Sequence, residues 1–152
     1  MQWKQTSKHN LLFEKNVNLG NSILTICVEK LESNCLYINL TEFMFKVNDS
    51  THKDKVNLFY SDMYKLFRLV HSSLEEYIND YVIKNIKNNI VYKIEFEADG
   101  VDNKEKKYKN NCYEFYLKRI CEKFSSDNIL CSYSKSGNLH YLSFIEIGRA
   151  HV

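Results

Sequence analysis

The chain has 152 residues, of which 44% are hydrophobic and 14% aromatic, and its formal net charge is +2. That length suits one domain, and the apolar content is sufficient for a buried core. The near-neutral charge argues against nucleic acid or an anionic membrane as a partner, and no apolar run approaches the ~18 residues that a membrane helix needs. The first residues also lack the apolar segment of a signal peptide, so the sequence predicts a cytoplasmic location.

The amino-acid usage is that expected of AT-rich DNA. Lysine occurs 18 times against three arginines, proline is absent, and Asn, Ile, Tyr and Phe abound. Bacteriophages and their low-GC hosts commonly have this usage. The sequence therefore predicts a small phage protein that acts in the cytoplasm of a bacterial host.

The first part of the chain is predicted to form three strands. Residues 22–30 are β-branched and apolar on both faces, which suits an interior strand. A second strand is predicted over 35–47, with a bulge near 41–42 where the apolar alternation slips. The third is 55–60, and we expect the three to form an antiparallel meander. Residues 1–19 are weakly patterned and are expected to be a loosely attached N-terminal arm.

The clearest periodicities lie between residues 62 and 98. Apolar residues spaced by three and four predict one helix over 62–87, with Ser61 as its N-cap. Strict alternation then predicts a strand over 90–98, parallel to 55–60. Six side chains from these elements and the following helix should be nearly fully buried: Val70, Leu74, Ile94, Phe96, Leu117 and Ile120.

The last part of the chain is predicted to form a helix and a hairpin. The helix covers 104–124, and strands 129–133 and 139–145 flank a loop that contains glycine. The order β-β-β-α-β-α-β-β predicts an α+β fold with a mixed, mostly antiparallel sheet and two helices. We expect residues 1–146 to form a single domain.

Residues 147–152 depart from the usage of the rest of the chain. Ile-Gly-Arg-Ala-His-Val brings together Gly, Arg and Ala, which are rare elsewhere. The hexapeptide resembles the translation of a sequencing adapter, ATC GGA AGA GCA CAC GTC followed by a stop codon. We therefore expect a non-native tail and exclude it from any functional site.

The titratable residues contain no recognised catalytic or metal-binding motif. The five cysteines form no Cys-x-x-Cys pair, which favours buried thiols; a zinc site of dispersed Cys and His is the alternative, and we predict no metal. Four lysines around Tyr108 could contact phosphate, but Glu105 among them favours a solvated helix start. Glu95 and Glu97 share one strand face and could act as bases if that face lines a cleft, although such alternation more often marks a solvated face.

Two stretches carry a family resemblance. They are Ile94-Glu95-Phe96-Glu97-Ala98 and, after a loop, Asn111-Cys112-Tyr113-Glu114-Phe115-Tyr116. Together with the order of elements, they resemble the core of the GNAT-type N-acetyltransferase superfamily without its first strand and helices. The resemblance implies a cleft for acetyl-CoA or another acyl-CoA, with Asn111 lining it and Ser61 and Lys65 at the pyrophosphate turn. It also implies Tyr116 as the general acid for the leaving thiolate, with Glu95 and Glu97 as candidate bases.

Two features of the sequence favour binding over catalysis. The turn at 60–65 has no glycine and places Asp62 where a pyrophosphate would sit. The 11 tyrosines and 9 phenylalanines also favour an interaction surface. We therefore interpret the protein as a non-catalytic module that binds a protein or small molecule without a cofactor. The alternative is a divergent acyltransferase that uses acyl-CoA.

Overall fold

The computed structural model describes residues 3–6, 11–48, 60–87, 89–100 and 102–147. The strands are β1 (Lys4–Gln5), β2 (Leu11–Leu19), β3 (Ser22–Lys30), β4 (Ile38–Val47), β5 (Val91–Glu97), β6 (Ile129–Ser136) and β7 (Leu139–Glu146). The first helix, α1 (Tyr60–Tyr77), continues through a π-helical turn at Ile78–Val82 into α2 (Ile83–Asn85). The second long helix is α3 (Asn103–Phe124).

The seven strands of the described residues form one sheet in the order β1-β2-β3-β4-β5-β7-β6. β2, β3 and β4 are an antiparallel meander, whereas β4 and β5 are parallel because α1 carries the chain back between them. β7 lies antiparallel between β5 and β6. The predicted α+β class, with a mixed, mostly antiparallel sheet and two helices, is confirmed.

The N-terminal part of the chain is more ordered than its sequence pattern predicts. Leu11–Leu19 is a strand that pairs with β3 from Leu19↔Ser22 back to Leu11↔Glu29, so the loose arm expected over 1–19 is corrected for these nine residues. Gly20 at the hairpin turn has a φ of 61°, which glycine adopts without steric cost. Trp3 is also anchored, since its indole Nε1 donates to the carbonyl of Ser73 at 3.2 Å.

The structure corrects the sequence prediction within β4 and at the start of α1. The register between β3 and β4 runs without a break from Leu24↔Val47 to Lys30↔Thr41, so the predicted bulge near 41–42 is wrong. The predicted strand at 55–60 falls at 55–59 outside the described residues, and Tyr60 already belongs to α1. Ser61 consequently lies inside the first helical turn and is not the N-cap. β5 takes β4 as its parallel neighbour.

The remaining elements match the sequence prediction closely. A continuous helix covers 60–85, and the strand predicted at 90–98 is Val91–Glu97. α3 is capped by Asp102, whose side chain accepts from the amide of Glu105 at 2.8 Å. The C-terminal hairpin turns tightly at Gly137, which has a φ of 60°. Ile147 still donates its amide to Asn128 at 2.8 Å, while 148–152 lie outside the described residues.

Both long helices pack on the same face of the sheet, which we call the helix-covered face. Its fully buried strand residues include Leu24, Ile26, Val28, Phe43, Ile94, Phe96, His140, Leu142 and Phe144. All six side chains predicted to be buried are less than 5% exposed, so that prediction is confirmed. Contacts between the helices follow the same order along both, from Phe67–Tyr113 through His71–Tyr116 to Glu75–Lys123, so α1 and α3 run parallel.

The opposite side of the sheet, which we call the solvent face, carries the alternate strand residues. Ile23, Leu130 and Ile145 on this face are 39–51% exposed. Cross-strand pairing sets Glu29 opposite Glu42 and Glu42 opposite Glu95, so three carboxylates form a row across β3, β4 and β5. Burial raises the pKa of Glu42, and Glu95, Glu29 and Glu97 raise it further, while Lys46 partly offsets them.

Candidate functional site

A basic concavity lies where α1 and α3 meet the turn between β2 and β3. This α1–α3 groove has a volume of about 790 Å³ and is open to solvent. Its described lining comprises Asn18, Leu19, Gly20, Lys65, Arg68, Leu69, His71, Ser72, Phe115, Tyr116 and Arg119. The volume falls within the range of small-molecule sites. The helices supply most of the walls because residues four or three apart share one side of a helix.

The groove concentrates positive charge. Lys65 and Arg68 lie one turn apart on α1, and Arg119 approaches from α3; all three side chains are exposed. Among the described residues that line the groove, none is acidic. Arg68 and Arg119 are also the two arginines of the described part of a chain in which lysine greatly predominates. Because guanidinium groups bind phosphate and carboxylate through two parallel hydrogen bonds, this placement suits an anion.

An aromatic wall adjoins these cations. The side chain of Phe115 is 56% exposed, which is unusual for a residue of this size. The guanidinium carbon of Arg119 lies 5.5 Å from the centre of the Phe115 ring, and the Tyr116 ring packs edge-on against it at 5.3 Å. A ring and a guanidinium side by side form a platform on which a planar group can stack.

His71 lies at the floor of the groove. Its ring packs on Tyr116 at 4.7 Å, and its Nε2 lies 3.6 Å from Glu75 Oε1, which also accepts from Lys123 Nζ at 3.1 Å. Burial lowers the pKa of His71; Lys123 and Arg119 lower it further, whereas Glu75 opposes them. The other ring nitrogen, Nδ1, is buried without a hydrogen-bond partner among the described residues.

The end of β5 offers much less space. β4 and β5 pair from Ile38↔Val91 to Glu42↔Glu95 and then part. The gap between them has a volume of only about 80 Å³. Aromatic rings occupy this region, since Phe96 contacts Phe43 at 5.5 Å and Tyr113 at 5.6 Å. A cleft for a cofactor-sized ligand is normally several hundred Å³, so the described junction does not match one.

The structure does not bring the residues proposed from sequence together at one site. Tyr116 and Lys65 both line the α1–α3 groove. Glu95 and Glu97 belong to the solvent face, across the sheet from Tyr116, and Glu95 accepts from the Tyr141 hydroxyl at 3.0 Å. The catalytic set implied by the family resemblance is therefore not assembled around Tyr116.

Two further candidates lie away from these clusters. Asn111 is exposed on α3 and is not among the described residues that line the groove. Ser61 is in the first turn of α1, and its side chain lies outside the described part. The basic cluster around Tyr108 is divided, because Lys109 is buried, lies 3.7 Å from Glu105 and faces the Phe45 ring.

Sequence reasoning missed four residues of the groove: Arg68, His71, Phe115 and Arg119. The signal that could have found the arginines is their rarity in a lysine-rich chain. His71 gives no such signal, because it lies off the apolar stripe of its helix. Among the described residues, no three His, Cys, Asp or Glu side chains are placed to hold a metal ion.

Comparisons with protein-family models, curated proteins and solved structures give no match for this chain. None of the described helices combines the length and apolar character required to cross a membrane. The site itself must therefore carry any functional conclusion.

Proposed function

We propose that the protein is a non-catalytic binding module whose α1–α3 groove takes an anionic ligand with phosphate groups beside a planar ring. The observation that carries the proposal is the placement of Arg68, Arg119 and Lys65 around one concavity. The net charge of the chain is only +2, so three cationic side chains around one concavity are a local excess of positive charge. Such an excess favours binding of a specific anion.

The two halves of the groove suit the two parts of such a ligand. Guanidinium forks bind phosphate oxygens in pairs, and Lys65 adds a mobile point charge at the same opening. Phe115 and Arg119 provide a stacking platform for a base or another flat ring. A nucleotide combines both chemistries and is the ligand class that we favour.

A second candidate function, acyl transfer from acyl-CoA, is favoured by one observation. Lys65 and Tyr116, which the family resemblance implies as cofactor and acid residues, line the same groove. Acyl-CoA also carries phosphates and a purine ring, so binding alone does not separate the two functions. Release of free CoA thiol from acetyl-CoA in the presence of an amine, lost in Tyr116→Phe, would establish the enzyme.

The proposal is tested by isothermal titration with adenosine triphosphate, pyrophosphate, adenosine and acetyl-CoA. We expect adenosine triphosphate to bind most tightly of the first three, pyrophosphate more weakly and adenosine weakest, with affinity falling as salt rises. A thermal-shift series should rank the ligands in the same order, because a ligand that prefers the folded state raises the midpoint. Absence of binding by every phosphate-bearing probe would refute the proposal.

Variants locate the binding. Arg119→Ala should weaken adenosine triphosphate binding roughly ten- to hundredfold, as expected for lost hydrogen bonds to a charged group. Arg119→Lys should lie between Ala and wild type, since it keeps the charge but loses the fork. The matched control is Lys118→Ala, an exposed neighbour on the same helix that pairs with Glu114 at 3.3 Å and is not among the described groove residues. An equal loss in both Ala variants would place the site elsewhere.

A further inference from the structure

Two cysteines lie in contact on the far side of α3 from the groove. Sγ of Cys131 on β6 is 3.4 Å from Sγ of Cys121, which lies in the last turn of α3. All five cysteines of the chain are described, and each is a free thiol. This contact brings together residues ten positions apart through the helix-to-strand connection.

That connection holds both cysteine backbones in place. The amide of Ser125 donates to the carbonyl of Cys121 at 3.1 Å and so closes the helix. The hydroxyl of Ser125 donates to the carbonyl of Cys131 and accepts from its amide, each at 3.2 Å. Ser125 therefore fixes the end of α3 against β6, next to the two cysteines. A preorganised contact of this kind costs little further ordering when a bond forms.

The two thiols are unequal. Cys121 is half-buried, whereas Cys131 is only 5% exposed. The hydrogen bond from Cys131 lowers the pKa of Cys121, against the opposing effects of burial and Glu122. The same contact, together with burial, raises the pKa of Cys131. Since the thiolate is the reactive form of cysteine, Cys121 is the sulfur that an external oxidant meets first.

We propose that Cys121 and Cys131 form a dithiol site that hydrogen peroxide converts to an intramolecular disulfide. The Cys121 thiolate attacks one peroxide oxygen, the O–O bond breaks, and the leaving oxygen departs as water after taking a proton. Cys121 is then a sulfenic acid. The sulfur of Cys131 attacks it, the S–O bond breaks, and a second water leaves with the thiol proton. Two thiols and one hydrogen peroxide thus give one disulfide and two waters.

The test uses the full chain with Cys35→Ser, because Cys35 is exposed and could link two molecules. After treatment with hydrogen peroxide and blocking of the remaining thiols, trypsin cleaves after Arg119, Lys123 and Lys135. Each cysteine of the pair is then on its own peptide, 120–123 or 124–135. We expect the two peptides joined, with the protein lighter by two hydrogen atoms and monomeric. Recovery of both peptides separately blocked, or a link to Cys27 or Cys112, would overturn the proposal.

Single replacements separate the two roles and guard against a folding artefact. Cys131→Ser keeps a hydrogen-bond donor beside Cys121 but cannot complete the disulfide, so the sulfenic acid should accumulate and be trapped by dimedone. Cys121→Ser should leave Cys131 reduced because Cys131 is buried. Dimedone labelling of Cys131 in that variant, or none of Cys121 in the first, would contradict the assigned order. An unchanged thermal midpoint before oxidation, measured for each variant, confirms that both remain folded.

Discussion

One face of the sheet is sealed by two helices, whereas the other exposes large apolar side chains and sets three glutamates in a row. The same strands supply both faces: Phe43 and Phe96 point under the helices, and Glu42 and Glu95, one residue before each, point away. The helix-covered side also bears, on its outer surface, the cationic groove. The molecule therefore carries a row of carboxylates on one side of the sheet and a cationic groove on the other, an arrangement that the net charge of +2 does not reveal.

Burial, and not residue type, determines how each face responds to a substitution or to a change of pH. On the helix-covered face a lost methyl group leaves a cavity that the packed helices cannot fill. On the solvent face water replaces what is removed, and the main energy at stake is repulsion between carboxylates. Substitutions and pH should therefore act with different size and sign on the two faces.

The largest effect is expected from Leu74→Ala. Leu74 lies on α1 and is only 3% exposed, because it packs in the core between the helices and the helix-covered face. Its truncation should therefore lower the free energy of unfolding by about 2–5 kcal/mol. The matched change on the solvent face is Met44→Ala, which removes a half-buried side chain and should cost less than about 1 kcal/mol. Urea denaturation of both variants measures the difference. Equal losses would mean that the two faces are equally packed.

The next largest effect concerns His140, which is fully buried on the helix-covered face. Its Nε2 donates to Asn110 Oδ1 at 2.6 Å, and in the neutral ring its Nδ1 accepts from the Tyr133 hydroxyl at 2.8 Å. Its pKa is lowered from 6.5 to about 4, chiefly by burial and also by Lys135, while Glu114 opposes the shift. Between pH 6.5 and about 4, the imidazole of His140 is therefore protonated in the unfolded chain and neutral in the folded protein.

Stability from His140 is therefore complete above pH 6.5 and is lost as the pH falls toward 4. The loss should reach at most about 3 kcal/mol. The measurement is the free energy of unfolding against pH for wild type and His140→Gln. The variant is less stable throughout, but its curve should fall less steeply in this window. Parallel curves for the two proteins would show that His140 does not titrate in this way.

The smallest effect, and the one of opposite sign, is expected on the solvent face. The raised pKa of Glu42 means that its carboxyl group is disfavoured as an anion in the folded state. Its destabilising effect appears as pH rises through the folded pKa and is absent at lower pH. Glu42→Gln should therefore raise the free energy of unfolding at pH 7 by about 0.5–1 kcal/mol, and the gain should vanish in acid. Glu122→Gln, at an exposed position of α3, is the control and should change little.

The sequence pattern predicts an element correctly where the spacing of its own apolar residues shows which side is buried. The six core positions, the strand at Val91–Glu97 and the helix at Asn103–Phe124 all follow from spacing alone. Strand β2 was missed because a lysine stands at one of its inward positions. Lys15 is buried and donates to Ser73 at 3.2 Å and to Glu76 at 3.3 Å, and both partners come from α1. A buried lysine in a strand can be predicted from sequence only when the distant residues that pair with it are known.

The candidate site depended still more on tertiary structure. The sequence by itself determined that helices form at Arg68 and at Arg119, because apolar residues recur at helical spacing around both. It could not place the two arginines, 51 positions apart, around one groove. That follows from the sheet: β4, β5 and β6 run in the same direction, so α1 and α3, which connect them in turn, lie side by side in the same direction on one face. The spacing of apolar residues within an element predicts which side of that element is buried. Which polar surfaces of two helices come together depends on how the sheet and both helices pack.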